Sequence, residues 1–183
     1  MKQQILVGGI GGQGVLFVTG LLAEAAIRRG FPVLASETHG MAQRGGAVVS
    51  HLKVGRFFSP MIRPLQADGL LALVPESVAQ QAPYIKPDGW IVANQAGPAG
   101  GQKGRAVFAL DAARVAREVG SPKSVNLVLV GYAVARLSEM RKPGRRMFCS
   151  LEDLEEVVRE RLAGRKDLLE ACLRALEAGY RAR

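Results

Sequence analysis

Only two cysteines, Cys149 and Cys172, occur in the 183 residues of this chain. They are too few for a multi-bridge framework and lack C-x-x-C spacing, so the chain alone cannot hold a zinc or iron–sulfur centre. They read as two reduced thiols. Histidine is as scarce: His39 and His51 are the whole supply. No Ser/His/Asp set and no metal-ligand spacing can be assembled from them. Aromatic residues make up 5% of the chain, too sparse for a base-stacking platform, which argues against nucleic acid as a partner. No basic stretch precedes an apolar run with a cleavage site, and no apolar run reaches bilayer-spanning length. The expectation is a cytoplasmic chain with no membrane partner. Internal repeats, heptads and low-complexity tracts are absent as well.

What is present is positive charge. Twenty-five Lys and Arg stand against 16 Asp and Glu, a formal +9, which suggests an anionic ligand or an acidic protein partner. The basic residues are scattered except at Arg141, Lys142, Arg145 and Arg146, which straddle Pro143-Gly144 and so belong to a turn rather than a helix face. That cluster reads first as a solvated loop. The length fits a single domain, 1–183, able to build a core without disulfides or metal.

Periodicity outlines an α/β chain. Gln4 to Val7 reads as a short buried strand. Val15, Val18, Leu22, Ala25 and Ala26 then recur at helical spacing until Gly30, and Pro32 to Ala35 reads as a second strand. Strand, helix and strand make one βαβ unit. Ala47 to Val54 is a third strand, reached across about ten residues with no helical period. A parallel return needs a dozen or more, so this strand should lie antiparallel and the sheet should be mixed. Further strands are expected at Gly69–Val74, Gly89–Ala93 and Arg105–Leu110. Helices are expected after Pro75 as far as Ala82 and from Ala112 to Val119 behind an Asp111 cap. A turn or mobile loop fills Gln95–Gly104. The C-terminal third is helical: Asn126–Leu137 is apolar enough to be buried, and Ser150-Leu151-Glu152-Asp153 resembles a capping box with an aspartate in the third position. Leu151, Leu154, Val157, Val158 and Leu162 form the next buried stripe, and Leu168, Leu169, Cys172, Leu173, Leu176 and Tyr180 the last.

Two segments carry binding chemistry. Gly9, Gly11 and Gly14 fit G-x-G-x-x-G between a strand and a helix, where free amides and the helix dipole favour an anion. Glu37 lies 23 residues past Gly14, where a ribose-binding acid would stand. A stand-alone Rossmann-like NAD(P)-binding protein is therefore one reading. Against it, the two-half alternation fails after the second strand. Gly12 and Gln13 also occupy positions where many nucleotide loops carry small or apolar residues, and Gln13 brings an amide able to bond backbone or ligand. The second segment, ETHGMAQRGG, sets Glu37, His39, Gln43 and Arg44 beside Gly45 and Gly46. Singly these are ordinary: a solvated histidine, an ion-paired arginine, glycines turning into a strand. Together, one strand beyond the glycine loop, they suggest a site. His51, mid-strand, reads as structural. No residue of this chain is assigned a catalytic role.

GIGGQG opening a helix, then HGMAQRGG leading into VVSHLKVG, closely resembles the gamma subunit, or domain III, of the pyruvate:ferredoxin (2-oxoacid:ferredoxin) oxidoreductases. The wording of the second motif is most like the beta subunit of the indolepyruvate enzymes. NLVLVGYA, from Asn126 to Ala133, resembles the family's Asn-led helix. The resemblance implies a three-layer α/β/α domain with a mixed, mostly parallel sheet that works inside a larger enzyme. Such enzymes oxidatively decarboxylate 2-oxoacids, here possibly an aryl-pyruvate such as indolepyruvate, to acyl-CoA and reduce ferredoxin. They use thiamine diphosphate with Mg2+, coenzyme A and iron–sulfur clusters, held chiefly by a large partner subunit. This chain would then bind no cofactor alone and be inactive by itself, and ferredoxin would be met only through the complex. Gly9, Gly11, Gly12, Gln13 and Gly14 would face the partner or an anionic group. Glu37, His39, Gln43, Arg44, Gly45 and Gly46 would complete a shared cleft. A structural or regulatory module docking through its C-terminal helices is a third reading.

Overall fold

In the computed structural model, residues 1–39, 45–97, 104–140 and 145–182 are described, with His39 described by its backbone only. The chain forms a six-stranded sheet in the order β2-β3-β1-β4-β5-β6. The strands are β1 (Gln3–Ile10), β2 (Val33–His39), β3 (Ala47–Val54), β4 (Ala67–Ala72), β5 (Ile85–Asn94) and β6 (Ala106–Leu110). β3 runs antiparallel to both β1 and β2, while β1, β4, β5 and β6 pair in parallel. The sheet is therefore mixed and mostly parallel, as the short 36–47 connection requires.

One correction concerns the first βαβ unit. β2 returns in the same direction as β1 but is not its neighbour, because β3 inserts between them. Strand ends also differ from the apolar runs. β1 and β2 extend to Ile10 and His39, and β5 starts at Ile85, including Pro87. β1 is central and buried on both faces, so only its middle reads as a pure apolar run.

The helices are α1 (Val15–Arg28), α2 (Glu76–Gln81), α3 (Ala112–Glu118), α4 (Val125–Ser138), α5 (Leu151–Arg161) and α6 (Lys166–Arg181), with a 3-10 turn at Ala82–Tyr84 after α2. Ile5, Val7, Leu52, Leu71, Trp90 and Val92 bury one sheet face against α1, α3, α4, α5 and α6. Leu6, Leu70, Ile91 and Ala93 face the opposite way. There the layer is thin: α2, the 3-10 turn and the irregular segment 55–66.

α4 is buried on nearly every side because the sheet lies on one flank and α6 crosses the other. That crossing is backbone-close. A Cβ on Gly131 would stand 2.0 Å from the Leu176 carbonyl oxygen, and one on Gly179 would stand 1.9 Å from that of Val128. The expected α6 stripe holds at Cys172 and Leu176, but Leu168 and Tyr180 are exposed at its ends. Asp111 accepts from the Arg114 N–H and caps α3. The Ser150/Asp153 capping box of α5 forms in both directions, at 3.3 and 2.7 Å.

Two residues of the basic cluster bond to backbone while remaining at the surface. Arg145 donates to the carbonyls of Asp88 and Gly104, and Arg146 to that of Met140. These arginines staple loops together. Arg141 and Lys142 lie outside the described residues, as does 98–103 of the expected glycine loop.

Candidate functional site

β1 ends at Ile10 and α1 begins at Val15, so the glycine turn sits at the carboxyl edge of the sheet. Gln13 closes it twice. Its backbone N–H donates to the Ile10 carbonyl at 3.2 Å, and its side-chain Oε1 accepts from the Ile10 N–H at 3.1 Å. The amide that could have met either backbone or ligand is thus used, at its oxygen, to hold the turn. Gly12 and Gly14 have φ of +92° and +78°, the left-handed region that favours glycine. No side chain caps α1, which leaves its first-turn amides and positive dipole end for water or an anion.

The two sequence motifs meet here. The Gly11 N–H donates to the Gly46 carbonyl at 3.0 Å, and a Cβ on Gly11 would stand 3.5 Å from the Gly45 nitrogen. Gly45, at φ +72°, is exposed beside the turn. The His39 backbone pairs with Val48 at the end of β2, which puts the polar segment at the same edge. Gln43 and Arg44 lie outside the described residues.

A cleft of about 310 Å³ opens next to the turn, lined by Gly12, Gln13, Leu73, Asn94, Lys123 and Asn126, with Ala113 and Val125. Asn94 ties the ends of three elements together: its Nδ2 donates to the Leu73 carbonyl, and its Oδ1 accepts from the Ala112 N–H that starts α3. Asn126, in the first turn of α4, accepts from the Leu127 N–H through Oδ1, and its Nδ2 would lie 2.3 Å from a Gly14 Cβ. The starts of α1 and α4 therefore converge on one cleft that Lys123 also lines. This arrangement suits an anionic group and offers no nucleophile.

Sequence reasoning missed Leu73, Asn94 and Lys123, and reached Asn126 only as the head of a helix. The available signal was an amide directly after an apolar strand, GWIVAN. Glu37 falls elsewhere than a ribose acid should. It is exposed on β2, opposite Ser50 of β3, which in turn pairs with Val7 of β1. With β3 between, it lies two strand spacings, roughly 9–10 Å, from the β1 line. In a dinucleotide fold the acid stands on the strand next to the glycine strand, so the NAD(P) reading loses its geometry.

His51 and the two cysteines are placed for structure rather than chemistry. His51 is buried, and its Nδ1 accepts from the Ile62 N–H at 3.1 Å. Burial, with a smaller contribution from Lys53, holds its pKa below the ordinary histidine value. Burial pushes the Cys149 and Cys172 thiols up, away from thiolate reactivity. Among the described residues no group of three or more His, Cys, Asp or Glu could hold a metal ion. No described helix is long and apolar enough to cross a membrane.

A mixed sheet with a glycine turn, a polar strand-end segment and an Asn-headed helix at one edge defines an α/β domain whose described residues offer no metal-ligand cluster. The chain belongs to the pyruvate ferredoxin/flavodoxin oxidoreductase family, whose model matches residues 4–182. It is 31% identical to the indolepyruvate oxidoreductase subunit IorB of Archaeoglobus fulgidus, across 98% of this chain and 94% of that one. Among solved structures, the gamma subunit of a keto/oxoacid ferredoxin oxidoreductase from Geobacter sulfurreducens superposes with a TM-score of 0.72. It shares 25% identity, over 97% of this chain and 96% of that one. A 2-oxoglutarate:ferredoxin oxidoreductase from Magnetococcus marinus, solved with 2-oxoglutarate, coenzyme A and succinyl-CoA bound, has the same fold at a TM-score of 0.80 and 22% identity. The likeness covers 97% of this chain but 30% of that polypeptide.

Proposed function

We propose that this chain is the small, non-autonomous subunit of a thiamine-diphosphate-dependent 2-oxoacid:ferredoxin oxidoreductase. It would act as one unit, and its substrate would be an aryl-pyruvate such as indolepyruvate. What supports the reading is similarity over 98% of this chain to an indolepyruvate oxidoreductase subunit, together with a site that has binding groups but no nucleophile or metal cluster among its described residues. The large partner supplies thiamine diphosphate, Mg2+ and the iron–sulfur clusters, and ferredoxin is reached through the complex. When bound there, thiamine diphosphate stabilises the negative charge left as the 2-oxoacid loses carbon dioxide, and the clusters carry the electrons away.

This chain contributes electrostatics and shape. The uncapped start of α1, the start of α4 and Lys123 present positive potential to a diphosphate or carboxylate. Coenzyme A, with its diphosphate, is the ligand this donor set suits. His39 and Gln43 donate hydrogen bonds in the shared cleft, and Arg44 clamps a carboxylate or phosphate as a two-pronged donor. Gly11 and Gly12 keep that wall free of side chains, so that the partner or ligand approaches the backbone.

Co-expression with the large subunit, followed by a 2-oxoacid panel read by viologen reduction, tests the reading. Turnover by the pair and none by either chain is the expected result; micromolar NAD(P) binding by the isolated chain in calorimetry would overturn it. Arg44→Ala should raise the apparent KM for 2-oxoacid or coenzyme A about tenfold or more, as loss of a charged hydrogen bond predicts. Unchanged values remove the clamp.

A further inference from the structure

Segment 55–66 has no regular secondary structure, yet it is anchored at both ends. The Gly55 N–H donates to the Pro32 carbonyl, the Ile62 N–H to His51, and the Leu65 N–H to the Pro83 carbonyl. Gln4 holds the Gln66 carbonyl at 2.9 Å. Ile62 is driven into the core beneath it, 2% exposed. On this anchored frame the apolar side chains point the wrong way for folding. Phe58 is fully exposed, and Met61 and Leu65 are about half exposed. Leu65 has a φ of +58° and is the non-glycine residue held in the left-handed region among the described residues, a conformation that costs energy and persists where the surroundings impose it.

The charge around these side chains has one sign. From Thr38 to Ala67 the chain holds no aspartate or glutamate. Lys2 and Lys53 place their ammonium groups over the Phe57 ring, at 5.5 and 5.2 Å. Arg56 and Arg63 are exposed on the same segment. No ion pair among the described residues engages these four cations. The nearest acid in sequence, Asp68, is already committed to Lys86 and to the Gln4 N–H. Burial and Arg63 pull the Lys53 ammonium below its ordinary pKa, a sign that positive charge is crowded here. A rigid loop that shows an aromatic and a methionine inside a cationic rim has the anatomy of an interface anchor.

We infer that segment 55–66 is a docking anchor. Phe58 enters an apolar pocket on the large partner subunit, and Lys2, Arg56 and Arg63 meet an acidic rim around that pocket. The surface leaves from the end of β3 opposite the glycine turn, so docking through it keeps the cleft clear for ligand. The identity of the partner rests on the subunit reading above; the chemistry of its face follows from the charges here.

The test uses the co-expressed complex. A photo-crosslinking phenylalanine analogue at position 58 is expected to capture an acidic segment of the large subunit, located by mass spectrometry. Phe58→Ser should weaken the complex by about thirtyfold or more, the scale of an interface hot spot. The double charge reversal Arg56→Glu with Arg63→Glu should weaken it about tenfold and flatten its salt dependence. Leu168→Ser, at an exposed apolar position on α6, should do neither, and all variants should melt as the parent does. If the parent complex forms and Phe58→Ser binds as tightly, the anchor is wrong while the subunit reading stands. A crosslink to a second copy of this chain also overturns it. If the parent does not bind the large subunit at all, the subunit reading fails and the anchor with it.

Discussion

His51 shows how a residue that looks catalytic in a list becomes structural in place. Its Nδ1 must stay unprotonated to accept the Ile62 N–H, and burial and Lys53 lower its pKa. The unfolded state binds the proton near pH ~6.5, and the folded state resists it until lower pH. His51 therefore contributes stability that is complete above ~6.5 and lost as pH falls from there toward the depressed folded value. The melting temperature should drop between pH 7.5 and 5.5, and His51→Gln, whose amide oxygen can still accept, should flatten that drop. An identical pH profile in the variant would remove His51 as the cause. The glycine turn gives a second contrast. Gly12 and Gly14 both have positive φ, but a Cβ on Gly12 meets nothing within 4 Å, whereas one on Gly14 runs into the Asn126 amide. Gly12→Ala should cost about 1 kcal/mol of backbone strain, and Gly14→Ala roughly 2–3 kcal/mol once the clash is added. Urea midpoints of the two variants decide it, and equal costs would mean that the two helix starts are not in contact.

At the level of elements, the α4–α6 crossing is the least tolerant contact. Gly131 and Gly179 bring backbone against backbone, and neither carbonyl can rotate aside as a side chain would. Gly179→Ala should therefore reach or exceed the ~3 kcal/mol upper end of overpacking costs, seen as loss of cooperative unfolding or of expression. A melting temperature within a few degrees of the parent would show that the helices separate cheaply. The α1–α5 contact is of another kind. Glu24 receives both prongs of Arg161, at 2.7 and 2.6 Å, and that bond holds its carboxyl below the usual range. Arg28 spans Glu156 and Glu160, and Arg29 reaches Asp153. These pairs are exposed, so each contributes little and fades in salt. The apolar stripe of Leu154, Val157 and Val158 holds α5 in place.

For the whole molecule, the +9 balance becomes intelligible as surface rather than as composition. Part of the basic excess is tied to backbone at the surface, as Arg145 and Arg146 bind carbonyls, and part is paired on the helices. The cations of 53–63 and Lys2 are not paired among the described residues. Association with the large subunit should accordingly weaken as ionic strength rises from about 50 to 300 mM, where screening shortens to several ångström. An affinity flat across that range, measured by interferometry or sedimentation, would exclude an acidic partner face.

The sequence by itself determined the α/β class, the antiparallel third strand and the order of helices, and it singled out two candidate segments. Each of these follows from local chemistry: period-2 or period-3.6 burial, glycine backbone freedom, the minimum length of a parallel return. It did not determine that β3 would insert between β1 and β2, which moved Glu37 away from the glycine turn. Nor did it show that Asn94 and the neighbours Lys123 and Asn126, far along the chain from the glycine turn, would line one cleft with Gly12 and Gln13. Those were decided by tertiary structure, because which strand pairs with which depends on non-local burial that no window of sequence contains. The same holds for segment 55–66. In the sequence Phe58 and Ile62 are alike, two apolar residues in a loop. Only the folded sheet beneath them made one core and left the other facing water.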